Sequence, residues 1–178
     1  MSKQLITDES RTSYINRFKK MQELGFTEKG NKLFITTLIA EAEQVDNLHV
    51  KSKIGEFEIE NDAPEALGGR NAAPAPMQML LATFANCLEI TALLYFSFLK
   101  VNVNSIKLRV EATYDKRCVL PDKEAPLPGF YNINYVWYIE SKEKLRKIEE
   151  VLEKVEKFCP VKGTLTRNHD FKQKIVLV

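Results

Sequence analysis

Three cysteines are the residues of this 178-residue chain whose chemistry could define a site. Cys87 lies inside a long apolar stretch, Cys159 precedes a proline, and Cys118 lies in a proline-containing loop. A cysteine reacts as its thiolate, so a reactive thiol needs a nearby cation or a helix N-terminus. An unpaired cysteine is also among the most buried residue types, so inert packing is the competing interpretation. Cys118 has no evident partner and is interpreted that way.

Cys87 and Cys159 differ in their predicted local settings. Cys87 lies about three turns inside a helix, and the macrodipole acts mainly within the first turn, so the dipole cannot stabilise its thiolate much. A cation must come from elsewhere, and Arg70 in the preceding Gly-rich loop is the nearest candidate in the sequence. If Pro160 opens a short helix, Cys159 occupies its N-cap position, where the dipole favours a thiolate. On this reasoning Cys159 would be the more acidic thiol.

Composition and charge argue against several classes of function. A net charge of +2 leaves no excess of Lys and Arg to neutralise a run of phosphates, so nucleic acid is not expected as a partner. The cysteines, His49 and His169 lack the spacing of metal ligands, and we expect neither metal nor cofactor. The first residues contain no apolar signal-peptide core, and the few, widely spaced cysteines suit a reducing compartment, which favours the cytoplasm.

The segment from Pro74 to Leu99 is expected to be the centre of the fold. Within it, residues 79–99 carry one charge, Glu89, and are long enough to span a bilayer. We favour a buried helix in a soluble core and no membrane, because amphipathic segments on both sides need a core to cover. A helix with apolar side chains on every face must have every face buried. A two-fold partner would complete that cover, so the sequence predicts a homodimer.

Apolar periodicity predicts the remaining elements. It indicates a single domain without an inter-domain linker. The expected elements are a helix at 8–24, strands at 32–43 and 48–60 with a bulge at Gly55, a loop at 61–73, a helix from Pro76 to about 100, strands at 105–114 and 131–139, a helix at 142–158 capped by Ser141, and a closing strand at 171–178. The order α-ββ-α-ββ-α-β defines an α+β protein.

Two motifs in the chain resemble one known family. The run GGRNAAPAPMQMLLATFANCLEIT resembles the Gly-Gly, proline-rich start and cysteine helix of the OsmC/Ohr proteins, the osmotically induced and organic hydroperoxide resistance proteins. The later run KVEKFCPVKGTL resembles that family's second signature, a helix that ends in Cys-Pro-Val. The spacing of 72 residues between Cys87 and Cys159 also fits. The resemblance covers about residues 32–178, which implies an OsmC-like domain over 31–178 and a helical extension over 1–30.

The resemblance implies an OsmC-like fold: antiparallel sheets around two long central helices in an intertwined homodimer, with sites at the interface. It implies that Cys87 attacks a hydroperoxide, that Cys159 resolves the sulfenic acid as a disulfide, and that an external dithiol reduces the disulfide. The peroxidase branches carry Glu directly after the helix-opening proline, where this chain has Met77. They also carry Arg in the first hairpin turn, where this chain has residues 44–47, Gln-Val-Asp-Asn. Arg70 is the candidate replacement for that Arg.

Three functional hypotheses follow. The first is a thiol-dependent hydroperoxide reductase of peroxiredoxin-type activity that acts in oxidative stress and prefers organic hydroperoxides, because Met77, Leu80 and Phe84 would line its pocket. The second is a non-catalytic dimer that binds a small apolar or sulfur-containing ligand, with structural cysteines. The third is another sulfur-handling reaction, such as persulfide transfer.

Overall fold

A computed structural model describes residues 5–177, which form five helices and two antiparallel sheets. The helices are α1 (Asp8–Leu24), α2 (Glu28–Phe34), α3 (Pro76–Phe98), α4 (Leu145–Phe158) and α5 (Pro160–Leu165). The strands are β1 (Ala40–Asp46), β2 (His49–Ile54), β3 (Phe57–Asn61), β4 (Ser105–Thr113) and β5 (Asn132–Glu140). Short 3-10 turns lie at Glu65–Leu67 and Lys116–Val119. The protein is therefore α+β with antiparallel sheets, as predicted.

The core forms where α3 and α4 pack together against the β4–β5 hairpin. Strand β4 alternates between exposed and half-buried residues, which is the pattern of a strand that covers one face of a core. Its apolar side chains pack against the buried residues of the two helices, and Leu88, Val151 and Val155 are the largest side chains that are completely buried. The central helix predicted from the sequence is thus the central helix of the fold.

Helix α3 begins at the proline that predicts its start. Pro76 is the first helical residue, and the Gln78 side chain accepts a hydrogen bond from the Ala75 N–H at 2.8 Å. Among the described helices α3 is the one long and apolar enough to cross a membrane by length and composition. Core helices of soluble proteins pass the same test, and α3 carries much of the buried core described above.

Helix α1 lies against the C-terminal half of α3. It begins after Thr7, whose hydroxyl accepts a hydrogen bond from the Ser10 N–H, and it ends at Gly25 with a left-handed φ of 51°. The Arg11 guanidinium donates to the Ser97 carbonyl at 3.1 Å, and the Tyr14 hydroxyl donates to the Leu94 carbonyl at 3.0 Å. The helix predicted at 8–24 is confirmed, and it packs on the main body of its own chain.

The sheet β1–β2–β3 is bonded to the loop before α3 but does not join the core. Within residues 5–177 it makes no substantial contact with any helix or with the other sheet. Every residue of β1 is exposed, and Phe57 in β3 is 74% exposed. The whole chain exposes 14595 Å², whereas a compact monomer of 20.5 kDa exposes about 8,900 Å². The single chain therefore leaves an unusually large area open.

The N-terminal strand boundaries predicted from the sequence are wrong in two places. The strand predicted at 32–43 is observed only from Ala40: residues 32–34 belong to α2, which Thr27 caps by accepting the Gly30 N–H at 3.1 Å, and residues 35–39 have no regular structure. The strand predicted at 48–60 is two strands. Gly55 takes a φ of 59° and forms a tight turn instead of a bulge, so Ile54 pairs with Phe57.

Two later predictions are also wrong. Helix α4 begins at Leu145 and not after Ser141, because the Ser141 hydroxyl accepts the Glu143 N–H and donates to the Asn102 carbonyl, and so caps a turn before the helix. The closing strand predicted at 171–178 is not formed over residues 171–177, and position 178 lies outside the described residues. The described order is αα-βββ-α-ββ-αα.

Candidate active site

The two predicted cysteines meet at the junction of α3, α4 and α5. The sulfur of Cys159 lies 3.4 Å from the sulfur of Cys87, and neither cysteine is in a disulfide. Cys87 is in the middle of α3. Cys159 is the residue between α4 and α5: its N–H donates to the Val155 carbonyl at 2.9 Å, and Pro160 then opens α5. Packing of α4 on α3 therefore brings together two thiols that are 72 residues apart in sequence.

The two thiols differ in exposure and surroundings. Cys159 is buried, with 2% of its surface exposed, whereas Cys87 is half-buried. Burial raises the pKa of the Cys159 thiol, and the nearby backbone N–H groups of Lys162 and Val161 oppose this effect without cancelling it. The N-cap position is as predicted, but the expectation that it makes Cys159 acidic is wrong because burial outweighs it. Cys87 is the thiol that a small molecule reaches more easily.

A polar network that sequence reasoning missed lies beside Cys159. The Lys162 ammonium donates to the Tyr135 hydroxyl at 3.3 Å, the Tyr135 hydroxyl donates to the Glu156 carboxylate, and Lys162 and Glu156 form an ion pair. Burial and the nearby Cys159 both raise the pKa of the Tyr135 hydroxyl. The sequence contains one signal for this network: Glu156 lies three residues before Cys159, and Lys162 lies three residues after it.

Arg70, the predicted thiolate activator, lies in the loop that leads to α3. Its guanidinium pairs with the Asp46 carboxylate at 2.7 Å. The loop around it is fixed by the buried Asp62 carboxylate, which accepts the backbone N–H groups of Arg70 and Ala72 at 3.1 and 3.0 Å. The ion-pair partner of Arg70 belongs to the β1–β2 hairpin. Within residues 5–177, the sheet that contains this hairpin packs on no helix and not on the other sheet.

The predicted pocket residues occupy three different environments along α3. Met77 is half-buried, Leu80 is 37% exposed, and Phe84 is buried in the core with its ring edge-on to Tyr135 at 5.9 Å. Cys118 is half-buried in the 3-10 turn after β4. Over the part of the chain that the structure describes, no group of three or more His, Cys, Asp or Glu side chains is arranged to hold a metal ion.

An apolar cavity of about 640 Å³ lies between α1, α3 and the α4–α5 corner. Its walls include Phe18 of α1, Thr91 and Tyr95 of α3, and Phe158 and Pro160 on either side of Cys159. The Thr91 hydroxyl donates to the Cys87 carbonyl at 2.7 Å. The cavity thus adjoins residues next to both cysteines, and α1 forms one of its walls.

Fold and site together define an α+β protein in which a half-buried thiol faces a second free thiol that is buried in the core. The chain belongs to the OsmC-like protein family, whose sequence model matches residues 68–174. This match confirms the resemblance carried by the two cysteine motifs. No curated protein matches the chain significantly.

Solved structures of the same family share the fold at low sequence identity. An OsmC-like protein from Mycoplasma pneumoniae is 23% identical, with a TM-score of 0.61, over 73% of this chain and 87% of that one. An organic hydroperoxide resistance protein OsmC from Legionella pneumophila is 22% identical, with a TM-score of 0.53, over 74% and 90%. An organic hydroperoxide resistance protein from Elizabethkingia anophelis is 18% identical, with a TM-score of 0.55, over 75% and 91%. These likenesses establish the fold.

Proposed function

We propose that this protein is a thiol-dependent hydroperoxide reductase in which Cys87 attacks the peroxide and Cys159 resolves the product. The observation that carries the proposal is the 3.4 Å separation of the two sulfurs. A small closing movement brings them to the 2.03–2.05 Å of a disulfide bond. The names of the hydroperoxide resistance proteins with this fold support the same chemistry.

The reaction has two steps at the thiols. The Cys87 thiolate attacks one oxygen of the hydroperoxide, the O–O bond breaks, and the alcohol leaves after it takes a proton, so that Cys87 becomes a sulfenic acid. The Cys159 thiolate then attacks the Cys87 sulfur, the S–O bond breaks, and water leaves once the hydroxide is protonated. An external dithiol reduces the disulfide by exchange through a mixed disulfide. No metal or cofactor is needed for this sequence.

The difference in exposure supports this assignment of roles. Cys87 is half-buried and can meet a substrate, whereas Cys159 is buried directly behind it. A sulfenic acid formed at Cys87 meets a thiol at once, which protects it from further oxidation. Met77 and Leu80 lie earlier on the same helix and are our candidates to contact the apolar part of an organic hydroperoxide.

We also propose that the working form is an intertwined homodimer. The exposed area exceeds that of a compact monomer by roughly 5,700 Å² per chain, which is more surface than each chain of an obligate dimer usually buries and therefore leaves ample area for such an interface. Within residues 5–177, the β1–β2–β3 sheet packs on no helix and not on the other sheet. The half-buried Glu89 has no ion-pair partner in the same part of the chain. If the sheet packs on the other chain, Arg70 moves with it. We propose that Arg70 reaches Cys87 of the partner subunit in this way.

The proposal is tested by mixing the reduced protein with cumene hydroperoxide and measuring thiols and mass. We expect one peroxide to remove two thiols and to link Cys87 with Cys159, as located by peptide mapping. The Cys159→Ser variant should stop at a sulfenic acid, and Cys118→Ser should behave as the wild type. Equal peroxide consumption by Cys87→Ser and the wild type would refute the proposal.

A second candidate function is the binding of a small apolar ligand by a non-catalytic protein. The apolar cavity beside the cysteine pair favours it, as does Met77 at the position where the peroxidase branches have Glu. This alternative predicts slow thiol alkylation and no disulfide between Cys87 and Cys159 after oxidant treatment. The experiment above therefore separates the two.

A further inference from the structure

The apolar cavity of about 640 Å³ is enclosed by matching faces of two helices. Each helix contributes four side chains with the spacing i, i+3, i+4 and i+7, which places them on one helical face. On α1 they run from Ile15 to Gln22, and on α3 they run from Thr91 to Phe98. The rise over this spacing is about 10 Å, so each wall is long enough to lie along a short linear chain.

The size of this cavity is that of a ligand pocket and not of a packing defect. Protein interiors contain few voids larger than a water molecule, whereas pockets for small molecules measure about 300–1,000 Å³. Helix α1 is bonded to α3, yet none of its residues is buried. The Phe18 and Phe98 rings meet at 5.9 Å, and the space beside them stays open. Because α1 lies outside the residues 68–174 that match the family model, membership in the family does not by itself predict this cavity.

Three polar side chains on the cavity wall have donors that nothing in the described chain uses. Lys19 is the one charged residue among the lining side chains that the structure describes, and its ammonium forms no ion pair within residues 5–177. The Gln22 amide and the Tyr95 hydroxyl make no hydrogen bond in the same part of the chain. The Thr91 hydroxyl, in contrast, donates to the Cys87 carbonyl. A carboxylate only accepts hydrogen bonds and carries the charge opposite to that of Lys19, so it complements this set of donors.

We propose that the cavity binds a medium-chain aliphatic carboxylate, with its tail between α1 and α3 and its carboxylate at Lys19. Lys19 and Gln22 are exposed, so the charged head stays in contact with water at the mouth of the cavity. Phe18, Leu94 and Phe158 supply apolar surface to the tail. Among the described lining residues there is no cysteine, so the ligand is held and not oxidised. The inference therefore does not rest on the hydroperoxide reaction.

The test is isothermal titration calorimetry of the whole chain with decanoate and with decyltrimethylammonium, which has a tail of the same length and a cationic head. We expect one decanoate per chain and weaker binding of the cation. An exposed ion pair contributes up to about fivefold in affinity, so Lys19→Met should bind decanoate about threefold more weakly. Lys19→Glu adds repulsion, so it should lose about tenfold and prefer the cationic compound. The matched control is Lys20→Glu, because Lys20 is the next residue of α1 and does not line this cavity.

A second variant tests the cavity itself. Ile15→Trp places a larger side chain in the wall and should abolish decanoate binding while the circular dichroism spectrum stays that of the wild type. Wild-type affinity in Ile15→Trp, or equal affinities of the wild type for the two head groups, would overturn the inference. Absence of saturable decanoate binding in the wild type would also overturn it, and this is the result if a partner chain fills the cavity. A wild type that binds decanoate but consumes no peroxide would support this inference and refute only the proposed function.

Discussion

Oxidation of Cys87 and Cys159 to a disulfide should stabilise the folded protein. The two residues are 72 positions apart, so the crosslink would close a long loop in the unfolded chain. The entropy that such a loop removes from the unfolded state corresponds to about 4 kcal/mol at 25 °C. Because the sulfurs are already 3.4 Å apart, the folded chain has to move little to close the bond.

The expected result is a large increase in melting temperature. For a chain of this size, each kcal/mol raises the midpoint by about 2–4 °C, so the oxidised protein should melt roughly 10 °C higher than the reduced protein. Scanning calorimetry of both forms at one protein concentration measures the difference, since the midpoint of the proposed dimer would depend on concentration. Cys118→Ser should reproduce the increase and Cys159→Ser should abolish it. An oxidised wild type that melts at or below the reduced protein would refute this reasoning about the site.

Three further predictions concern the elements that position the site. Leu88→Ala should lower the free energy of unfolding by about 2–5 kcal/mol in denaturant titrations, because Leu88 is completely buried, whereas Leu145→Ala at a position 71% exposed should cost far less. Gly69→Ala should destabilise the protein, since a Cβ there would lie 1.9 Å from a backbone carbonyl oxygen, and Gly163→Ala in α5 should be neutral or stabilising because its Cβ would meet open space. Backbone N–H donors, foremost that of Ala72, hold the pKa of Asp62 below its usual range. The stability that ionised Asp62 contributes should be complete above about pH 4 and lost as the pH falls through its lower pKa in the folded protein. Acid titration of Asp62→Asn should therefore show a shallower loss of stability than that of the wild type.

Local sequence signals predicted the elements that carry the cysteines. Pro76 and Pro160 each open a helix where expected, because a proline at the first helical position loses no hydrogen bond. Strict alternation predicted β4 and β5, since one face of each strand packs on the helices. The two cysteine motifs predicted the family, which the sequence model confirms.

Features that depend on packing between distant segments could not be predicted in the same way. The residues 32–39 have a strand-like composition, yet a capping hydrogen bond at Thr27 makes the first of them helical. Tyr135 lies on a strand of alternating residues, and no local pattern groups it with Glu156 and Lys162. Only the packing of β5 on the α4–α5 corner brings the three together. The burial that raises the pKa of Cys159 is likewise a property of the assembled core.

The attachment of α1 to α3 also constrains the order in which the chain can assemble during synthesis. Arg11 and Tyr14 bond to carbonyl groups that lie 86 and 80 residues further along the chain. Helix α1 has no buried residue of its own, so it has little to hold it in place when it leaves the ribosome. It can dock only after α3 has emerged, and it then covers part of the most apolar helix in the protein. Helix α1 is thus made before α3 but placed after it, where it shields a helix that would otherwise be prone to aggregate.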